Sequence, residues 1–313
     1  MTWFRDLDVP EMFGFLYNQV TPFSITVSDG EALYAWHVLP LELYREHEAS
    51  LIDEPSGFVS NITSSLAFKL LRDDPEARLV LHFHGAGGTV GSGYRPPNYR
   101  ALSAGQPRKI HVLTFDYRGF GRSKGAPSES SMIRDALAVV HWAMNVAGIP
   151  PSRILVFGQS LGTAVSIAVS EHFALQSPPV LFAGTVLVAP FVDVMSLMAT
   201  YRVAGAIPLV SPLADYDPRR GRLDISWHHT PKLFWHAVNA TIPAGITYHE
   251  LEEMKDERKK DLGAAGSFME WRTENGVIRE EILKHGLHDV IMGYPIISLA
   301  VMRIFTAADP SFR

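Results

Sequence analysis

The chain has 313 residues, 47% of them hydrophobic and 19% charged, with a formal net charge of −5. That balance describes a globular protein with enough apolar mass for a large core, and it offers no electrostatic basis for nucleic acid or an anionic membrane as the main partner. Cysteine is absent, which excludes disulfides, a thiolate nucleophile and a Cys-built zinc site.

No run of residues approaches the length of a transmembrane helix, and Met1-Thr-Trp-Phe-Arg-Asp6 lacks the basic-then-apolar order of a signal peptide. The expected location is therefore cytoplasmic, with room for a peripheral membrane contact. Residues 1–22, with Trp3, Phe4, Phe13, Phe15, Leu16 and Tyr17, read as an N-terminal arm packed on the core; the competing reading is a lip that touches lipid. Phe23–Val27 and Leu33–Val38 alternate around Asp29-Gly30, a hairpin signal. Residues 40–66 carry mixed charge without a period and read as an insertion or surface helix.

Arg78–Phe83 is a candidate buried strand, followed by His84-Gly85-Ala86-Gly87-Gly88-Thr89. His82 and His84 share one strand face, but no carboxylate or third histidine stands nearby in sequence, so no metal is expected. The glycine cluster is better explained as a loop presenting bare backbone amides. Ile110–Phe115 is the next strand, ending in Asp116-Tyr-Arg-Gly-Phe-Gly-Arg-Ser123. Ile133, Leu137, Val140 and Met144 then recur at helical spacing after Ser128, a good N-cap.

The apolar run Ile154–Phe157 leads into Gly158-Gln159-Ser160-Leu161-Gly162, and Ala164, Ile167 and Ala168 suit a helix lying close on a sheet. Gly184–Ala189 is a further strand, closed by Pro190. This alternation predicts an α/β fold with a doubly wound, mostly parallel sheet. Residues near 192–213, with Met195, Leu197 and Met198, read as a small cap roofing an apolar pocket; the competing reading is that they fill a hole in the core. His249–Lys260 reads as a solvated helix, and Val277-Ile278 with Ile282-Leu283 as a last strand leading to Gly286-Leu287-His288-Asp289. Ile297, Ala300, Val301 and Ile304 form a C-terminal helix begun by Pro295. The whole, residues 1–313, reads as one domain, with about 192–220 as a cap or degenerate segment.

Gly-X-Ser-X-Gly between a strand and a helix holds the middle serine on a strained turn at a helix N-terminus. A serine hydroxyl there needs a base, an orienting acid and oxyanion donors to act as a nucleophile. Ser160 is the candidate nucleophile, with the amides of Ala86 and Leu161 as oxyanion donors. Of 13 histidines, His288 stands where the base belongs, after the last strand and before the final helix. His228, His229, His236 and His249 fall where a cap or late helix is expected.

His84-Gly-Ala-Gly-Gly-Thr89, Asp116-Tyr-Arg-Gly-Phe-Gly-Arg-Ser-Lys-Gly125, Gly158-Gln-Ser-Leu-Gly162 and Gly286-Leu-His288 together resemble the α/β-hydrolase fold. Within it they resemble the monoacylglycerol and lysophospholipid lipase branch, in a form similar to its fungal members. The resemblance implies a serine hydrolase of acyl esters, lipid-like small molecules being the expected substrate, working without metal or organic cofactor. It also implies one further core strand ending in an acid. Here Ala214-Asp-Tyr-Asp-Pro-Arg-Arg-Gly-Arg-Leu223 stands in that place and reads as no buried strand, and Arg222 occupies the position of the acid. The sheet is thus expected to lack one core strand. Asp224, two places off, is the first candidate for the acid, Asp193 the second, and a site without an acid the third. Two other functions compete: a catalytically weak relative kept as a binding or scaffold protein, and an acyl hydrolase or transferase of specialised metabolism.

Overall fold

The protein is described from a computed structural model, which covers residues 4–192, 202–203, 207–208 and 229–312. Its contacts divide the chain into two compact units, residues 1–188 with 292–313, and residues 189–291.

The first unit is built on β1 (Val20–Thr26), β2 (Ala32–Val38), β3 (Arg78–Phe83), β4 (Ile110–Phe115), β5 (Ile154–Gln159) and β6 (Gly184–Val188). They form one sheet in the order β1-β2-β4-β3-β5-β6. β1 and β2 make the expected hairpin, and β2 runs antiparallel to β4; the β4-β3-β5-β6 core is parallel. Every residue of β3, β4 and β5 is buried. Strands covered on both faces read as continuous apolar runs, which is why these three stand out in the sequence.

Helices α1 (Leu41–Ile52), α2 (Leu66–Arg72), α3 (Arg95–Ser103), α4 (Glu129–Asn145) and α5 (Leu161–Ala174) connect the strands. Two of them present a different face from the one expected. In α4, which Ser128 caps as predicted, the buried positions are Ser131, Asp135, Ala136, Val139, Val140 and Ala143, while Ile133, Leu137 and Met144 are half-buried. In α5 the buried set is Gly162, Thr163, Val165, Ser166, Val169 and Phe173, and Ala164 and Ile167 face outward among the described residues. Small side chains, polar ones included, take the close-packed face because a helix near a sheet leaves little room.

The N-terminal arm packs by its middle. Trp36, fully buried, donates Nε1–H to Leu7 O at 3.1 Å, and Phe13 and Phe15 meet its ring edge-on at 5.3 and 6.1 Å. Such pairs add about 0.5–1.5 kcal/mol each beyond area burial. Phe4, Met12, Leu16 and Tyr17 on the same arm stay exposed.

In the second unit the two-residue strands β7 (Arg202–Val203) and β8 (Ile207–Pro208) pair antiparallel. α6 (His229–Asn239) and α7 (Tyr248–Arg258) follow, then β9 (Lys260–Asp261), β10 (Gly266–Thr273) and β11 (Gly276–Leu283). The strand expected over 277–283 is present, but it pairs antiparallel with β10, in a separate sheet of order β11-β10-β9. Only two residues, Glu274 and Asn275, join β10 to β11, a connection that suits an antiparallel hairpin and is far too short for a parallel crossover. Phe234, Val238, Leu251 and Met269 form the core of this unit. Residues 209–228, where the core strand is expected to be missing, and most of the expected cap lie outside the described residues.

The chain then returns to the first unit with α8 (Pro295–Ala308), begun by its proline as expected and buried through Ile297, Val301 and Phe305.

Candidate active site

Ser160 sits between β5 and α5 with φ +52° and ψ −119°. A serine in this part of backbone space is strained by roughly 1–3 kcal/mol, which the surrounding structure must impose. It does so by close approach: a Cβ on Gly162 would lie 1.9 Å from Phe83 O, and one on Gly158 would lie 2.5 Å from Gly162 O. Ser160 N–H donates to Val188 O at 3.0 Å, and its carbonyl accepts from Thr163 N and Oγ1 at 2.8 and 2.6 Å. The turn is thus tied to β6 and to the first turn of α5. The Ser160 hydroxyl makes no capping bond to α5, although serine before a helix commonly does. The helix amides, beginning with Leu161, therefore keep their favourable field for a negative charge.

The loop after β3 abuts this turn. Gly85 N–H donates to Gln159 Oε1 at 3.1 Å, and a Cβ on Gly85 would lie 3.1 Å from Ser160 Cβ. Ala86, next along, is exposed. Ser160, Leu161 and the loop carrying Ala86 are brought together by the first unit alone.

Three side chains that sequence reasoning left without a role hold this loop. Arg95, 7% exposed at the start of α3, turns back and donates to Gly85 O at 2.9 Å, Gly87 O at 2.6 Å and Thr89 O at 2.5 Å. Asp116, fully buried, accepts from Val90 N–H at 2.7 Å. Gln159 is the third, through its bond to Gly85. Asp116 and Gln159 stand inside motifs that mark them in the sequence, and Arg95 does not.

His84 Nδ1 lies 2.8 Å from Gly85 O, and a carbonyl only accepts, so Nδ1 carries the hydrogen. Burial, with Arg95 adding to it, holds His84 well below the ordinary histidine range and so neutral. Its Nε2 is then an acceptor, 3.4 Å from Asp116 Oδ1. Burial also pushes the Asp116 carboxyl up to about 7, so near neutrality its protonated and ionised forms are both populated. His82 stacks on Phe157 at 5.2 Å, with Nδ1 3.3 Å from Thr114 Oγ1. Among the described residues no group of three or more His, Asp or Glu is arranged to hold a metal ion.

The Asp116–Ser123 segment is fastened to α4 by Arg118. Its Nε and Nη2 lie 2.8 and 2.6 Å from Asp135 Oδ1, and its amide donates to Oδ2 at 2.9 Å. Asp135 sits on the buried face of α4, away from the stripe of Ile133, Leu137 and Met144 that the periodicity picks out.

His288 is carried by the second unit, half-buried in the turn that follows β11. Asp193 and Asp224, the candidates for the acid, lie outside the described residues, as does His228.

The family model of the alpha/beta hydrolases matches residues 79–284, well over half of the chain. The chain belongs to the α/β-hydrolase family. The matched span holds the parallel core, the glycine loop after β3 and the Ser160 turn of this α/β hydrolase; His288 falls just beyond it. Among curated relatives, lysophosphatidylserine lipase ABHD12 of Danio rerio is 30% identical over 192 residues, covering 61% of this chain and 44% of that protein. ABHD12 of Mus musculus is 28% identical over 193 residues, covering 61% and 42%. The matched part of the α/β hydrolase thus spans less than half the length of these relatives. A solved α/β hydrolase from Vibrio vulnificus overlays 64% of this chain and 56% of that one, with a TM-score of 0.45 and 18% identity. The Pyrococcus furiosus esterase Pf2001 overlays 61% and 56%, with a TM-score of 0.39 and 18% identity. Among the described residues no helix is long and apolar enough to cross a membrane.

Proposed function

We propose that this α/β hydrolase is a serine ester hydrolase. The observation that carries the proposal is Ser160 at φ +52° on the strand–helix turn, its hydroxyl uncommitted to the helix and Gly85 of the glycine loop against it. Ser160 attacks the acyl carbon while His288 takes its proton. The amides of Ala86 and Leu161 stabilise the oxyanion, and the protonated His288 returns its proton to the leaving alcohol. Water repeats the cycle on the acyl-enzyme. An acid, Asp224 in the first instance, orients His288. Lipid-type esters, a monoacylglycerol or lysophospholipid, are the proposed substrates; the lipase names of the relatives support the class.

Labelling by a fluorophosphonate tests the reaction. Purified protein should label covalently and Ser160→Ala should not; labelling that survives the substitution would put the nucleophile elsewhere. A protein that never labels would favour the scaffold alternative. Preference for acetyl over every longer acyl ester would sink the lipid substrate while leaving the esterase standing.

A further inference from the structure

We infer that Arg95 is a positioning residue which fixes the orientation of the Gly85–Ala86 peptide and thereby sets the oxyanion donor. The inference deepens the proposed ester hydrolysis and rests on it.

A trans peptide holds each C=O and the following N–H on opposite sides of the bond. The Gly85–Ala86 peptide is trans, and its carbonyl is engaged by two donors, Arg95 Nη2 at 2.9 Å and His84 Nδ1 at 2.8 Å. With the carbonyl held toward Arg95, the Ala86 N–H is sent the other way. The preceding amide, Gly85 N–H, is already committed to Gln159 Oε1 at 3.1 Å, beside Ser160. Ala86 is therefore the first amide of the loop that Arg95 leaves to a ligand.

Glycine-rich backbone does not hold such an orientation by itself. Gly87 and Gly88 adopt φ of +73° and +71°, where glycine is at ease, so the loop just after Ala86 does little to fix that peptide by itself. Arg95 removes that freedom by taking three alternate carbonyls, those of Gly85, Gly87 and Thr89, with one rigid planar group. A guanidinium presents five donors in a fixed fork, whereas an ammonium on a flexible stem presents three about one point. The side chain is almost wholly buried, and the turn before it is closed by Ser92 N to Thr89 O at 2.9 Å and Arg95 N to Ser92 O at 3.1 Å. Loop and latch are parts of one local structure, independent of the second unit.

The expected signature is a loss in the chemical step with binding spared, because the amide matters only once negative charge develops on the substrate oxygen. With p-nitrophenyl butyrate, Arg95→Lys should lower kcat by roughly 10- to 100-fold, up to the cost of losing one oxyanion donor, while KM stays within about twofold. Phosphonylation of Ser160 should slow in parallel. Arg95→Ala should lose at least as much, and guanidinium ion added to it should restore part of kcat. Arg95→Lys with unchanged kcat, or a fall confined to KM, overturns the inference. So does a rise in kcat of Arg95→Ala with guanidinium that sodium chloride at equal concentration reproduces. If the unsubstituted protein neither turns over the ester nor labels at Ser160, the reading of the site has failed rather than the role of Arg95.

Discussion

The two partners proposed for proton transfer are carried by regions built in different ways. Ser160 ends a strand buried at every position and is pinned by backbone contacts to β3, β6 and α5. His288 follows β11, a strand with one buried residue, in a unit whose core, among the described residues, has four buried hydrophobic side chains with half-buried ones packed on them. The first region achieves its geometry by excluding side-chain volume; the second relies on side-chain pairs such as Arg279–Glu270 at 2.6 Å across the hairpin. A nucleophile must be strained in one fixed place, and backbone packing does that. A base needs only to be oriented, and a third group can do that.

The largest effect should come from that third group. Asp224→Asn is expected to lower kcat by roughly four decades, the cost of a histidine in the wrong tautomer, with Asp193→Asn nearly silent. The reverse result would transfer the role to Asp193. If both are silent, the base is oriented by something other than an acid, and the contrast drawn above fails.

Two buried ion pairs, one in each region, sharpen it next. Asp135→Ala takes three bonds from Arg118, two at its guanidinium and one at its amide, leaves it only the partly exposed Asp29 at 2.9 Å, and should cost about 3 kcal/mol in denaturant unfolding. Glu280→Ala should cost less, because Lys255, 2.9 Å from Glu280, keeps Glu252 at 2.9 Å. An equal or larger loss for Glu280→Ala would mean that the second region is as tightly determined as the first.

The parallel core, the hairpin, α8 and the Ser160 turn were legible in the sequence because each is written locally, in a continuous apolar run, in Asp29-Gly30, in Pro295 and in Gly158–Gly162. The faces of α4 and α5 were not. Apolar spacing selects Ile133 in α4 and Ala164, Ile167 and Ala168 in α5, but close packing selects Ala136 and Ser166. β10 escaped notice because Phe268-Met-Glu-Trp-Arg272 neither alternates cleanly nor runs apolar. Arg95 was hidden for another reason: its partners are carbonyls, which every residue has, so nothing in the side chains marks the contact. His288 was reached through its place in the chain order of a family, and its local sequence carries little.

The smallest expected effect is one of slope. Asp116 has its folded pKa raised to about 7 by burial, above its unfolded value near 3.9. Its contribution to stability is therefore complete below about pH 4 and lost as the pH rises through about 7. Asp116→Asn keeps an acceptor for Val90 N–H and cannot ionise at any pH. The melting temperature of the variant relative to the parent should rise between pH 4 and 8; a difference independent of pH would mean that Asp116 ionises freely in the fold.

The return of the chain to its first unit has a consequence for its synthesis. The segment from Met292 through α8 lies against α3 and β6: Asn98 Nδ2 donates to Met292 O and Ser298 Oγ to Ala101 O, both at 2.6 Å, and Ile304 lies where Gly184 leaves space. A ribosome delivers β6, then the whole second unit, and only then the helix that covers this flank. Units generally fold as they emerge. Here the sheet and the Ser160 turn are available early, with one apolar side bare. A nascent chain stalled inside the second unit would carry the nucleophile turn and an uncovered flank together, a form that chaperones would bind and proteases would find.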